Sequence, residues 1–203
     1  MTKVQEIKGI AKFVLWGAVG FGVGAIGFGA IRIAGWDLFL LSGGSVPSLL
    51  GFPTTGALGR AALGLALRDW RKAAVLAVVG AITFFVGFLG GFLVMIVFHQ
   101  SGLRGEGILS IIYGGVPGAI GGAALGLVLL DPRKMIGLAI AGALGFGLGM
   151  LIVSLILDPF SGWASTPPIK PWLGWILWGI IGGAFLGASL GYLEKRNTDR
   201  GGG

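Results

Sequence analysis

One charged residue stands inside an apolar stretch of the sequence and is the first candidate for chemistry. Arg60 lies within the run GALGRAALGLAL, 56–67. A charged side chain inside a membrane span marks a candidate functional site and needs a partner. Arg32 and Asp37 belong to the same part of the chain, and the three residues together could attract an anion at the outer mouth of a bundle. The structural alternative is an ion pair of Arg60 with Asp37 or Asp158, or extension of its side chain to the outer interface.

The remaining polar residues do not form a pattern typical of catalysis. His99 is the only histidine, so the chain by itself cannot make a bis-histidine haem site. The absence of cysteine excludes disulfides, Cys-ligated zinc and iron–sulfur clusters. No apolar run carries a carboxylate near its middle, which argues against a proton-coupled pump. The sequence therefore predicts a protein that is not an enzyme and has neither a metal site nor a cofactor.

The composition indicates the environment in which these residues must be positioned. Of 203 residues, 55% are hydrophobic and 11% are charged, whereas soluble domains have about 25% charged residues. Several apolar runs reach the roughly 20 residues that cross a bilayer core. The net charge of +7 comes from residues next to these runs, which favours orientation in a membrane over nucleic-acid binding. The lipid bilayer is the predicted partner, and nucleic acid is not.

An internal repeat organises the chain, and repeats are sought before other features. The segment Gly118–Lys134 (GAIGGAALGLVLLDPRK) matches Gly56–Lys72 (GALGRAALGLALRDWRK) at twelve of seventeen positions, 62 residues apart. A looser copy begins at Gly179 (GIIGGAFLGASLGYLEKR). Upstream of these copies, GAVGFGVG (17–24) is nearly repeated as GALGFGLG (142–149), with a weaker copy, GAITFFVG, at 80–87. The pattern predicts three tandem units of two helices each.

These units define the predicted fold. We expect an all-α, polytopic membrane protein with six transmembrane helices, built as three parallel helical-hairpin repeats of about 62 residues. The single membrane domain 1–203 would contain repeats at 9–69, 73–131 and 135–194, with basic termini at 1–8 and 195–203. The second helix of the first repeat is predicted at 54–69. Three parallel units suggest a ring around a pseudo-threefold axis.

Small residues recur every fourth position on the predicted helices. Such faces let helix backbones approach closely in lipid, and they must be used, because an interior glycine disfavours a helix by about 1 kcal/mol relative to alanine. Packing within the bundle is the simpler interpretation, and a contact face for another subunit or a second copy is the alternative. The glycines predicted to pack are Gly20, Gly24, Gly118, Gly122, Gly126, Gly179, Gly183 and Gly187.

The basic residues predict an orientation. Eleven of them lie at the termini and at the short corners 68–72 and 131–134, against four on the opposite side. Because short cytoplasmic loops are enriched in Lys and Arg, we expect a multi-pass protein of the cytoplasmic (inner) membrane with both termini in the cytoplasm. The longer outward segments 36–53, 99–113 and 158–171 are predicted to lie along the interface, or else to re-enter the membrane. Asp69 and Asp131 are expected to pair with the basic residues that follow them or to cap the next helix.

Three tandem two-helix units resemble the mitochondrial carriers in plan. The carrier motif follows the odd-numbered helices, whereas Asp-x-Arg-Lys here follows the even-numbered ones, so we assign no family. The sequence favours a non-catalytic scaffold or accessory subunit of a membrane assembly. The alternative is a small-solute or anion permease or channel along the pseudo-threefold axis.

Overall fold

A computed structural model describes residues 3–34, 45–101, 106–157 and 169–201, and the regular elements in these residues are all α-helices. The described residues form six helices, which bear out the predicted all-helical class. They are α1 (Lys3–Ala34), α2 (Ser45–Ala66), α3 (Trp70–Gln100), α4 (Glu106–Val128), α5 (Pro132–Leu157) and α6 (Ile169–Gly201).

Five of these helices are long and apolar enough to cross a membrane: Ile7–Ile31, Trp70–Phe98, Gly107–Val128, Pro132–Ile156 and Leu173–Arg196. Their outer surfaces carry exposed aliphatic side chains such as Val23, Val78 and Ile140, as expected of helices that face lipid. The chain is therefore a helical membrane protein. The remaining helix, α2, is less apolar, because its 22 residues include Pro53, two threonines and Arg60.

Two tight corners connect α2 to α3 and α4 to α5. Two residues after each preceding helix ends, a non-glycine residue has positive φ, 58° at Arg68 and 54° at Leu130, the left-handed conformation that commonly terminates helices. The next residue is an aspartate in both corners. Asp69 Oδ1 accepts hydrogen bonds of 3.0 and 3.1 Å from the backbone N–H groups two and three residues later. Asp131 Oδ1 does the same at 3.0 and 3.3 Å. Of the two predicted roles, capping of the next helix is observed at both corners, and Asp69 also pairs with Lys72 at 3.6 Å.

The six helices form a closed ring. Each helix packs on its neighbours in the chain, and α6 returns to pack on α1. The residues that point into this ring form one continuous core. Towards the two corners the core is a layer of leucines, which comprises Leu63, Leu76, Leu125, Leu138, Leu186 and Leu190. Beyond it, away from the corners, the core becomes aromatic.

Candidate functional site

Three phenylalanine rings from alternate helices meet inside the ring. Phe21 of α1, Phe84 of α3 and Phe146 of α5 have ring centroids 5.9, 5.2 and 5.5 Å apart. Two of the three contacts are edge-to-face, an arrangement that aromatic pairs favour. Because the three helices alternate around the ring and their side chains touch one another, these rings lie at its centre. All three are buried, so they fill the interior at this depth. We call them the phenylalanine triad.

A second aromatic group extends the core away from the corners. Phe52 stacks on Phe88 with centroids 3.8 Å apart, and Phe28 and Trp175 pack edge-to-face at 5.6 Å. Trp178 links this group to the triad, because its Nε1–H donates a 2.8 Å hydrogen bond to the carbonyl oxygen of Phe146. The ring is thus filled by apolar and aromatic side chains from the leucine layer outward.

Arg60 is fully buried in this core, with no exposed surface. Its Nη1 donates a hydrogen bond to the hydroxyl of Thr83 and a longer one, 3.4 Å, to the carbonyl oxygen of Val79. The Thr83 hydroxyl in turn donates to the same Val79 carbonyl at 2.7 Å. One edge of the guanidinium therefore ties α2 to α3.

The other edge of the guanidinium is unpaired. Nε and Nη2 are buried and have no hydrogen-bond partner among the described residues. Two glycines allow backbone to approach Arg60 closely. A Cβ at Gly121 of α4 would collide with Nη2, and a Cβ at Gly80 of α3 would lie 3.0 Å from the Arg60 Cδ. An uncompensated buried charge costs several kcal/mol. The three N–H bonds of these two nitrogens are thus left without acceptors inside the core.

The depth of Arg60 differs from the outer-mouth position that its place in the sequence suggested. The helix α2 begins at Ser45 instead of at residue 54, so Arg60 is fifteen residues from its start, or about 22 Å along the axis. Its neighbours Gly59 and Ala62 lie against Gly20 of α1. Arg60 is consequently inside the bundle, closer to the corner end of α2 than to its beginning.

The other two predicted site residues are only partly described. Arg32 is in α1, twelve residues beyond Gly20, which places its backbone about 18 Å from the level of Arg60 along the helix axis. The side chain of Arg32 and the whole of Asp37 lie outside the described residues, as do Asp158 and the side chain of His99. A shared site of Arg32 and Asp37 stays a prediction.

The eight glycines singled out from the sequence lie at helix–helix contacts within the chain. A Cβ at Gly118 would strike the carbonyl oxygen of Gly142, and a Cβ at Gly183 would strike that of Gly17. The other six face their neighbours as closely: Gly20 meets Ala62, Gly24 meets Thr55, Gly122 meets Leu138, Gly126 meets Met135, Gly179 meets Phe21 and Gly187 meets Phe13. These faces are occupied by the chain's own helices.

The contacts also give the register of the third copy. Gly118, Gly122 and Gly126 approach α5 as Gly183, Gly187 and Gly191 approach α1. The direct sequence alignment matches Gly118 to Gly179 instead, one helical turn earlier. Arg60 aligns with Gly122, and Gly122 makes the contact that Gly187 makes in α6. By its contacts, the α6 residue equivalent to Arg60 is therefore Gly187 and not Gly183.

Two interactions join helices at the corner end of the ring. Lys12 Nζ of α1 donates a 2.5 Å hydrogen bond to the carbonyl oxygen of Ala66, at the end of α2. Lys134 Nζ of α5 forms a 2.7 Å ion pair with Glu194 of α6. At the corner itself, the Lys72 backbone N–H, the Lys72 charge and the Arg71 backbone N–H hold the pKa of Asp69 below its ordinary value.

The sequence held a signal for the Arg60–Thr83 pair that reasoning from hydropathy missed. Arg60 replaces the glycine of the matching copies, and Thr83 replaces Gly20 and Gly145 in the segments 17–24 and 142–149. Two departures from the repeat thus face each other across one helix pair. The triad also carried a signal, since each of its members is the fifth residue of its repeated segment.

Comparison with known proteins finds no relative: no family model, no curated protein and no solved structure matches this chain. The described residues also contain no group of three or more His, Cys, Asp or Glu that could hold a metal ion. Any functional conclusion must therefore come from the ring, its filled centre and Arg60.

Proposed function

We propose that this protein is a non-catalytic membrane subunit that scaffolds or seals a larger membrane assembly. The observation that supports it best is the filled centre of the ring, where Phe21, Phe84 and Phe146 are in mutual contact. A compact bundle whose axis is plugged by large apolar rings serves as a rigid wall better than as a passage. The exposed aliphatic outer surface would face lipid and neighbouring membrane subunits, or another copy of the chain.

The ring is proposed to consist of three parallel helical hairpins around a pseudo-threefold axis. The equivalent positions of the triad residues support this arrangement, as do the matching glycine contacts of α4 with α5 and of α6 with α1. In this reading α2 is the sixth membrane span despite its lower hydropathy, because Arg60 is enclosed by protein and does not face lipid.

The proposed location is the cytoplasmic membrane, with the corners and both termini on the cytoplasmic side. The basic residues at the corners support it. Trp70 and Leu130, which are 71% and 89% exposed at the two corners, suit a test because the chain has no native cysteine. Single cysteines there should react with a membrane-impermeant maleimide in inside-out vesicles only. Labelling in intact spheroplasts would indicate the opposite orientation.

The scaffold proposal is tested by the size of the particle that contains the chain. After extraction from native membranes in mild detergent, native mass spectrometry should find the chain in a complex with other subunits or further copies. The same protein in liposomes should leave the permeability to chloride, nitrate and small neutral solutes at the level of empty liposomes. A monomer without cross-linked neighbours would contradict the proposal.

The second candidate function is an anion permease, and the buried Arg60 favours it. A buried positive charge beside the axis lowers the barrier for an anion, although the triad would have to separate to let it pass. Chloride or nitrate efflux from liposomes, abolished by Arg60→Gly and unchanged by Arg133→Gln at the exposed corner, would support a permease. Anion efflux no faster from liposomes with the wild-type protein than from empty liposomes would rule out a permease.

A further inference from the structure

The Arg60 guanidinium presents a free, enclosed edge to the interior of the ring. Nε and Nη2, the two nitrogens without partners, lie along the same edge of the planar group, so their N–H bonds run nearly parallel. This edge binds carboxylates, phosphates and other anions in a bidentate manner. The opposite edge is committed to Thr83 and Val79, which fixes the orientation of the group.

The described surroundings of Arg60 supply no negative charge. The described residues placed against it are Val79, Gly80 and Thr83 of α3 and Gly121 of α4, all of them neutral. The nearest described carboxylates along α2 and α4 are Asp69 and Asp131, nine residues beyond Arg60 and ten beyond Gly121, or about 13 and 15 Å by helical rise. Both carboxylates are engaged in capping the next helix.

We propose that the ring holds one small monovalent anion against the Nε–Nη2 edge of Arg60. A single negative charge would neutralise the guanidinium, and by bridging the two parallel N–H bonds of this edge it would give both Nε and Nη2 an acceptor. The anion must be small, because Arg60 has no exposed surface and the backbone of Gly121 approaches the end of Nη2 closely. This inference does not depend on the scaffold proposal: a scaffold would keep the ion as a fixed counter-ion, whereas a permease would exchange it.

Bromide serves as the probe, because it is close to chloride in size and can be counted by elemental mass spectrometry. The full-length protein is purified in sodium bromide, exchanged into sodium gluconate on a desalting column, and analysed for bromide per chain. Wild type should retain close to one bromide. Arg60→Gln, which removes the charge and keeps a shorter polar side chain, should retain none, and Arg133→Gln should behave as wild type.

A thermal measurement provides the second readout. If the folded ring binds one anion that the unfolded chain releases, raising chloride at constant ionic strength with gluconate should raise the Tm of wild type progressively. The Tm of Arg60→Gln should stay flat. Should Arg60→Gln fail to fold, Arg60→Gly takes its place, because the matching copies carry glycine at this position.

Three outcomes would overturn the proposal. Wild type without retained bromide and with an anion-independent Tm would mean that the free edge of the guanidinium binds no ion. Equal bromide in wild type and Arg60→Gln would indicate an adventitious ion only. A Tm that depends equally on chloride in both variants would indicate a general salt effect. Because none of these measurements involves flux or subunit partners, their failure leaves the scaffold proposal to its own test.

Discussion

At the scale of single residues, the phenylalanine triad forms the packed centre of the ring. Each ring comes from a different helix, and each is almost fully buried. Interiors packed this tightly respond to the loss of a large side chain with a cavity that the surroundings only partly close. The triad is thus expected to contribute more to stability than any aromatic residue on the outer surface of the bundle.

Phe146→Ala tests this expectation. The substitution should lower the free energy of unfolding by about 3–5 kcal/mol, the range for buried Phe→Ala changes. The measurement is unfolding in mixed micelles followed by circular dichroism. The matched control is Phe92→Ala on the outer surface, where the side chain is 45% exposed, which should cost far less. Equal losses for the two variants would contradict a packed centre at the triad.

The Asp69 carboxylate gives a prediction on pH. Because its pKa is lower in the folded protein than its ordinary value of 3.8, the carboxylate stabilises the corner above that value, and the stabilisation is lost as the pH falls through the folded pKa. Hydrogen exchange of the Arg71 and Lys72 amides should therefore be slower in wild type than in Asp69→Ala at pH 6. The two proteins should converge once the pH has fallen below the folded pKa of Asp69. A difference that persisted in acid would contradict this role, and the 129–131 corner in the same sample serves as the control.

At the scale of helices, backbone contact through glycine determines which helices pair. Gly118 and Gly142 face each other so closely that neither can carry a Cβ without a shift of backbone, and Gly17 and Gly183 repeat the arrangement. Since lipid gives helices no hydrophobic reason to associate, this close approach is a main source of their attraction. At these positions helix propensity favours alanine, whereas packing favours glycine.

Gly118→Ala separates the two effects. Alanine should improve helix propensity by up to about 1 kcal/mol, but the clash with the Gly142 carbonyl should outweigh this and give a net loss of about 1–3 kcal/mol. Gly9→Ala is the matched control, because no atom lies within 4 Å of a Cβ at that position, and it should be neutral or stabilising. The measurement is the free energy of unfolding of both variants relative to wild type. A stabilised Gly118→Ala would argue against the α4–α5 contact.

Part of this organisation could be predicted from the sequence. Composition predicted the helical membrane class, and the place of Asp69 and Asp131 in the short corners predicted that they pair with the following basic residues or cap the next helix. The start of α2 was missed by nine residues, because Pro47 and the glycines before it resemble a loop, although proline is accepted in the first turn of a helix. The burial of Arg60 could not be predicted, since its depth depends on that start and on the register of α1, α3 and α4.

At the scale of the whole molecule, the ring is closed by a contact between its first and last helices. The α6–α1 pair uses the same kind of backbone contact as α4 and α5, but no corner connects them. We therefore expect the order of helices around the ring to be kept when a different joint is made covalent.

A circular permutant tests this property. The chain is opened in the 67–69 corner, and α6 is joined to α1 through an added Asp-Pro-Arg-Lys corner. The permutant should fold, elute as wild type in size-exclusion chromatography, and melt within a few degrees of it. A second permutant, opened within α3 beside Phe84, should not fold because the break interrupts the core. Aggregation of the first permutant would show that the native order of helices is required.

The contact between α1 and α6 has a consequence for biosynthesis. The α1 surface formed by Ile10, Phe13 and Gly17 packs on glycines of α6, and α6 follows the other five described helices in the chain. During synthesis α1 therefore enters the bilayer well before this partner exists. A product that stops before Ile169 lacks the partner, and we expect membrane proteases to degrade it faster than a product that includes α6.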